Sequence, residues 1–366
     1  MQERKKKKIV IASVLKPVDE TRMYGKMATS LAKAGHEVHI YGSTKTGLTS
    51  KENIFLHEHA LSNRLSLKRL LITWLMMSKW LVLKPNVIIV CSHELLIAGL
   101  LYKSIRPVKL LYDVQENYYL NILHTNAFPA SIRFPLAAYV RLKEKLVAPF
   151  IDHFFLAEYV YTEQLNFVKS AYSIIPNTML KPEVARIKNQ GYSHWLFTGT
   201  LAETTGVYKV IELVKALHSI DASIHLTICG FAPLRSEQSR IRIICAGLDY
   251  ISLKGIEEPV AHKDIVEAIQ QADIGFIYYP PAKHTTGRIP TKFYEYSSLD
   301  LSILSWKNQG IAHKITEFSL GWVLDDTENT AEILAQIKKV PTKNPLPATH
   351  FWEIAEKQLI KVIDSL

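Results

Sequence analysis

The sequence predicts an α/β protein built on two parallel sheets, and three observations carry that expectation. Short runs of β-branched and aliphatic residues alternate with longer amphipathic stretches, the pattern of strands joined by helical crossovers. The alternation pauses at a polar, basic connection from Lys181 to Gly191 and then restarts. Strand-like runs end in polar residues or glycine, as at Ser92-His93-Glu94, Gly199-Thr200 and Gly230. In open α/β sheets, ligands bind beyond the carboxyl ends of strands.

Composition sets the outer bounds. The 366 residues are 48% hydrophobic and 21% charged, which is ordinary globular usage and enough chain for two domains. Cys91, Cys229 and Cys245 lie in or beside apolar runs. They have no metal-ligand spacing and no paired framework, so buried thiols in a reducing compartment are expected. The basic start Met1-Gln2-Glu3-Arg4-Lys5-Lys6-Lys7-Lys8 precedes an apolar run too short for a signal peptide, and no apolar stretch reaches spanning length. A cytoplasmic location is expected. The formal charge of +10, from 44 Lys and Arg against 34 acids, favours acidic partners such as nucleotides, pyrophosphates or an anionic membrane face. There is no zinc knuckle and no RRM-type signature, so nucleic acid is not among the expected partners.

In the first half, Lys8 to Val14 reads as a buried strand. A helix is expected from Arg22 to Lys33, closed by Gly35, with a strand from Glu37 to Tyr41 and a short one at Ile54 to Leu56. The first loop lacks G-x-G-x-x-G, so a dinucleotide fingerprint is absent. Leu61 to Leu83 reads as a helix carrying Trp74 and Trp80 among Arg64, Lys68, Arg69 and Lys79. That interleaving fits a membrane-surface helix, or a packed helix with a solvated basic side. Asn86 to Cys91 is a continuous apolar strand ending in Ser92-His93-Glu94; Val108 to Tyr112 is another, ending in Asp113-Val114-Gln115-Glu116-Asn117. Two polar strand ends in succession suit a binding edge. Helices near Ala130 to Pro149 and Tyr159 to Val168 and a strand from His153 to Leu156 lead to Ile175-Pro176-Asn177.

The second half repeats the pattern. Strands are expected at His194 to Thr198, Ile224 to Cys229, Tyr250 to Leu253, Ile274 to Tyr279, Ser302 to Ser305 and Gly321 to Leu324. Helices are expected at Val207 to Leu217, Lys263 to Gln271 and, at the end, Phe351 to Ile363. Glycine at the strand ends lets backbone N–H groups approach a phosphate. After Ile274 to Tyr279 comes Thr286-Gly287-Arg288-Ile289-Pro290-Thr291-Lys292-Phe293-Tyr294-Glu295-Tyr296. Pro290 suits the first turn of a helix, and a helix start holds anions well. Lys292 and Glu295, at i and i+3, share a face. One is suited to a phosphate and the other to the two hydroxyls of a ribose. They also suit an ordinary surface ion pair.

Several segments, in order and over nearly the whole length, resemble the family 4-like glycosyltransferases of bacterial surface-polysaccharide synthesis. Asp19, Arg22, Lys26 and Leu31 to Val38 are similar to that group's D-x-R…K…L-A-K-A-G-H-E-V segment. Ser92 to Leu96 resembles its H-D/E-L element, and Tyr112 to Glu116 its Y-D-V-H-E element. Ile175-Pro176-Asn177 resembles the I-P-N before the second domain, and Phe197-Thr198-Gly199-Thr200 the first phosphate loop. Pro290 to Tyr296 is similar to P-T-K-L-F-E-Y, the most specific of the set, and Trp352-Glu353 resembles the W-E of a returning tail.

The resemblance implies the GT-B architecture: two Rossmann-like domains facing a central cleft. The expected division is 1–180 on the acceptor side, 181–345 for the nucleotide sugar, and a C-terminal helix, 346–366, packing back on the first domain. It implies a hexose-type transfer from a nucleotide sugar to a saccharide or lipid-linked acceptor, retaining and free of metal. The lack of any D-x-D triplet agrees with that. Lys292 and the N–H groups near Gly199 and Thr200 would hold the diphosphate, and Glu295 the ribose. Gly230, Pro290 and Thr291 would complete the donor site. His93 and Glu116 are the expected catalytic residues, with Asp19, Arg22, Glu94 and Gln115 on the acceptor side. Peripheral contact with the inner face of the plasma membrane is a further expectation.

The chain departs from the group at Thr200 and Thr205, which stand where an Arg and a Lys are frequent, with Glu203 between them. A frequent Glu before Glu295 is replaced near Arg288, which would supply positive charge by another route. Gln115 stands where His is usual. These departures keep two other readings open: an altered GT-B protein that binds nucleotide or glycan without transfer, and a nucleotide-sugar epimerase.

Overall fold

The computed structural model describes residues 5–44, 52–60, 68–125, 128–182 and 191–366. It divides into two compact units, Met1–Asn177 with Trp352–Leu366, and Thr178–Phe351.

Among the described residues of the first unit, seven strands form one parallel sheet in the order β3-β2-β1-β4-β5-β6-β7. They are β1 (Lys8–Pro17), β2 (Glu37–Ser43), β3 (Ile54–His59), β4 (Val87–Val90), β5 (Lys109–Val114), β6 (His153–Leu156) and β7 (Tyr172–Ile174). The central strands are apolar on both faces because helices cover both, as a parallel sheet requires. A π-helical segment, Thr21–Ala28, runs into α1 (Thr29–Lys33). With the terminal helix α13 (Trp352–Ser365) it packs on Ile9, Ile11, Ile40 and Ile89. Trp352 is fully buried there, and its indole N–H donates to Ser30 Oγ at 2.9 Å. The opposite face is covered by α2 (Lys68–Leu83), α3 (Leu96–Ile105) and the end of α5 (Ala130–Val147), which pack on Val10, Ile88, Leu110 and Phe154. Among the described residues the unit also contains α4 (Tyr118–His124) and α6 (Tyr161–Gln164).

The second unit carries a six-stranded parallel sheet among its described residues, in the order β10-β9-β8-β11-β12-β13. Its strands are β8 (His194–Thr200), β9 (His225–Phe231), β10 (Ile251–Ile256), β11 (Ile274–Phe276), β12 (Ser302–Trp306) and β13 (Gly321–Leu324). The crossovers are α7 (Val207–His218), α8 (Arg235–Cys245), α9 (His262–Gln271), α10 (Thr291–Ser298), α11 (Ala312–Glu317) and α12 (Thr330–Ile337). All three cysteines are free and buried.

Several expectations are corrected. The helix foreseen from Tyr159 to Val168 is only the single turn α6, because Leu165 and Phe167 turn into the core instead of continuing it. β11 stops at Phe276 rather than Tyr279, where the chain leaves the sheet edge toward α10. β10 runs on through Lys254 and Gly255 to Ile256 instead of ending at Leu253. Pro290 is not in the first helical turn: with φ −66° and ψ 146° it is the residue that precedes α10. Residues 61–67, including Arg64, and 183–190 of the expected connection lie outside the described residues. Among the described residues, no helix is long and apolar enough to cross a membrane.

Candidate functional site

In the second unit the residues singled out gather at the carboxyl ends of the strands. β8 ends at Gly199, which has φ +99° and open space where a side chain would stand. A Cβ on Gly230, at the end of β9, would lie 1.9 Å from the Gly199 carbonyl oxygen, so these two strand ends can meet only as glycines. Thr200 is exposed, and Thr205 Oγ1 donates to its carbonyl at 2.7 Å, closing the loop behind it. From Gly199 to Gly206 the loop holds no cation; Glu203 is exposed and pairs with Arg240 at 3.5 Å.

α10 is fixed against that loop. The Tyr296 hydroxyl lies 3.0 Å from the Thr198 amide, whose proton it accepts, and 2.9 Å from Thr198 Oγ1. Pro290 contributes no capping side chain to α10, which leaves the first N–H groups unclaimed from that quarter. Thr291 is exposed. Lys292 is not on the surface: it is buried, with Nζ 4.0 Å from the centre of the Phe197 ring and 5.5 Å from that of Tyr279. Among the described residues its amine has no hydrogen-bond partner. Burial, opposed in part by Glu295, lowers its pKa to about 7. Glu295 is half-buried and lies 3.2 Å from His262 Nε2. The surface Lys–Glu pair is therefore not what this helix presents. Arg288 Nη1 donates to the His284 carbonyl at 3.5 Å. With Pro290, Thr286, Asn308 and Gln309 it lines a hollow of about 200 Å³ beside the start of α10.

Sequence reasoning missed Lys209 and His262. Lys209, on α7, stands over the rings of Tyr278 (5.8 Å) and Trp306 (5.3 Å). It is the nearest cation along the chain to the cation-free loop. His262 begins α9, and only the fold brings it to Glu295.

In the first unit the polar ends of β4 and β5 form a buried network. His93 Nδ1 lies 2.9 Å from Lys143 Nζ, and its ring meets that of Tyr118 edge-on at 4.6 Å. An ammonium can only donate, so Nδ1 accepts and the ring proton sits on Nε2. Burial, reinforced by Lys143 and Arg69, holds the His93 pKa well below its usual value, so the ring is neutral. The lysine was unforeseen: the sequence reading placed no cation next to this histidine. Burial brings Lys143 itself down to about 8 and pushes the neighbouring Glu144 up to about 7. Glu144 accepts the Tyr112 hydroxyl proton at 3.0 Å. The signal was present in α5, where Val140, Lys143, Glu144 and Val147 fall at the spacing of one buried stripe.

The four acceptor-side candidates divide. Arg22 is buried and spends its guanidinium on the unit's interior: on Asp113 at 2.6 and 2.9 Å, the Ile175 carbonyl at 2.7 Å and Asn177 Oδ1 at 2.9 Å. Gln115, also buried, donates to Asp113 at 2.6 Å and accepts from Lys16. Both side chains are thus held within the first unit. Asp19 is partly exposed in the turn before the π-helical segment. Glu94 is held by Arg69. Glu116 is partly exposed and accepts from Asn121 Nδ2 at 2.8 Å.

No family model matches the sequence, and no curated protein matches it. Solved structures do match its fold. A sucrose-phosphate synthase from Thermosynechococcus elongatus superposes with a TM-score of 0.70 at 13% identity, over 98% of this chain and 99% of that one. The catalytic domain of starch synthase IV from Arabidopsis thaliana, bound to ADP and acarbose, gives 0.67 at 10% identity, over 98% and 99%. A trehalose-6-phosphate structure from E. coli, bound with UDP-2-fluoro glucose, gives 0.61 at 12% identity, over 98% and 95%. The chain thus has the two-unit, Rossmann-like α/β fold of GT-B glycosyltransferases.

Proposed function

We propose that this chain is a glycosyltransferase that moves a hexose-type sugar from a nucleotide sugar to a saccharide or lipid-linked acceptor in cell-surface polysaccharide synthesis. The reading includes retention at the anomeric carbon and no metal ion. One observation carries its donor side: the amine of Lys292, buried and without a hydrogen-bond partner among the described residues, at the carboxyl edge of the second sheet. An uncompensated buried cation is costly, and a diphosphate is the ligand that would repay it. Departure of a nucleoside diphosphate leaves negative charge, which Lys292, the N–H groups near Gly199 and Thr200, and the start of α10 are suited to meet. Glu295 is suited to a ribose, Arg288 to the hollow beside Pro290 and Thr291. In the first unit a neutral His93 tolerates an oxocarbenium-like carbon, with Glu94 next to it, Glu116 just beyond β5, and Asp19, Arg22 and Gln115 as further acceptor-side candidates. Neighbouring structures bound with UDP-2-fluoro glucose and with ADP and acarbose support the donor class.

The test is calorimetric titration with UDP, GDP and ADP, followed by transfer assays with a panel of nucleotide sugars. Glu295→Ala should abolish transfer while leaving the circular dichroism spectrum unchanged; undiminished transfer by that variant would sink the assignment. The cation-free loop from Gly199 to Gly206 favours a second reading, a GT-B protein that binds nucleotide or glycan without transferring sugar. Diphosphate binding with no transfer to any acceptor offered would select it, and the release of an isomerised free nucleotide sugar would select an epimerase instead.

A further inference from the structure

We infer that the outer face of the layer formed by α2, α3 and α5 is a docking surface for an anionic lipid bilayer. The three helices cover one face of the first sheet through inward residues such as Ile72, Met76, Tyr102 and Val147. A helix with one buried face is expected to be polar on the other. These are not. On α2 the outward positions hold Leu71, Trp74, Leu75 and Val82, which are 69%, 51%, 51% and 84% exposed. On α3 they hold Ile97, Leu101 and Ile105, spaced by four. On α5 they hold Tyr139, Leu142 and Leu146, and Phe150 follows one turn on. α2 packs on α3 and α3 on α5, and Lys103 Nζ ties α3 to the Phe150 carbonyl at 2.8 Å. The apolar residues therefore belong to one continuous layer, larger in kind than the scattered apolar residues of ordinary surfaces.

Charge selects the occupant. The three helices contain eight lysines and arginines, three on α2, one on α3 and four on α5, and a single carboxylate. That carboxylate, Glu144, is buried. Lys143 is buried too, Arg69 pairs with Glu94 and Lys103 with Asp152, so with these carboxylates included the layer keeps a formal +5 of the chain's +10. Exposed Lys84, Arg106 and Lys145 lie at its ends and rim. A protein interface is usually depleted in lysine, whereas exposed aliphatic and aromatic side chains among basic ones suit the headgroup region of an anionic membrane. The solvated basic side foreseen for α2 is in fact an apolar side with a basic fringe. This inference does not rest on the transferase reading.

Co-sedimentation of the full chain with vesicles tests it. Vesicles of mixed phosphatidylcholine and phosphatidylglycerol should pull the protein down, and pure phosphatidylcholine vesicles should do so at least about tenfold less, with binding weakened by salt. The double variant Trp74→Glu with Leu146→Glu, checked for an unchanged circular dichroism spectrum, should lose at least about tenfold of the anionic binding. Ile243→Glu, an equally exposed apolar position on α8 of the second unit, should bind as the parent does. The inference is overturned by equal binding to both vesicle types, by binding that the double variant keeps, or by absence of binding to either. A dimer in sedimentation velocity that the double variant dissolves would likewise overturn it, by assigning the face to a second copy.

Discussion

Replacing Lys292 with Met should make the unliganded protein more stable and the liganded one weaker. In the folded chain the amine is buried against Phe197 and Tyr279 with no hydrogen-bond partner, and its pKa falls from 10.5 to about 7. A shift of that size corresponds to ~5 kcal/mol of destabilisation at most, at about 1.36 kcal/mol per unit. The sign follows from proton counts. Between pH 7 and 10.5 the unfolded chain binds the proton that the folded chain has lost, so stability rises with pH through that window. Below about 7 both states are charged and the full penalty applies. Methionine fills similar volume without charge, so Lys292→Met should gain about 1–4 kcal/mol near pH 7 and remove the slope. Urea titrations at several pH values measure both. A diphosphate restores the charge, so UDP, GDP or ADP should bind with proton uptake, and affinity should fall as pH climbs above about 7. Calorimetry in two buffers of different ionisation enthalpy reads that uptake. A Met variant that is less stable than the parent and binds the three nucleotides unchanged would refute the reasoning.

Other outcomes follow from the same structure. Lys143→Met removes the cation 2.9 Å from His93 Nδ1, so the His93 pKa should rise, seen as a shifted imidazole titration by NMR and an acid limb of activity displaced to higher pH. Asp113→Ala strands the buried Arg22 guanidinium and should cost about 3–5 kcal/mol in denaturant unfolding; a loss under about 1 kcal/mol would mean that the pair is not closed. Gly230→Ala sets a methyl 1.9 Å from the Gly199 carbonyl, so thermal unfolding should move down and nucleotide affinity should drop with it.

The strands could be read from sequence because parallel strands covered on both faces are continuous apolar runs, and their polar ends marked where each strand leaves the sheet. Helix lengths were harder. Leu165 and Phe167 look like the continuation of an amphipathic helix, yet they turn into the core beyond α6. At Lys292 the local pattern suggested a surface residue, and the structure buries it. Spacing along α10 puts Lys292 beside Glu295, but its burial comes from Phe197, which lies in another strand. The Lys143–His93 and His262–Glu295 contacts join residues far apart in the chain, where no periodicity can reveal them. The partners of Arg22 were equally out of reach: Asp113, Ile175 and Asn177, which take its donors, lie far along the chain.

The terminal helix has a consequence for how the protein is made. Because α13 completes the core of the first unit, that unit is assembled from two separated stretches of chain, whereas Thr178–Phe351 is continuous. During synthesis the second unit has all its sequence before the first does, although the first precedes it in the chain. Until Trp352 reaches Ser30, the sheet face carrying Ile9, Ile11 and Ile89 stands partly uncovered, a surface open to misassociation. The sequence of the first unit is therefore complete only after that of the second, and a chain lacking α13 leaves that sheet face without part of its cover.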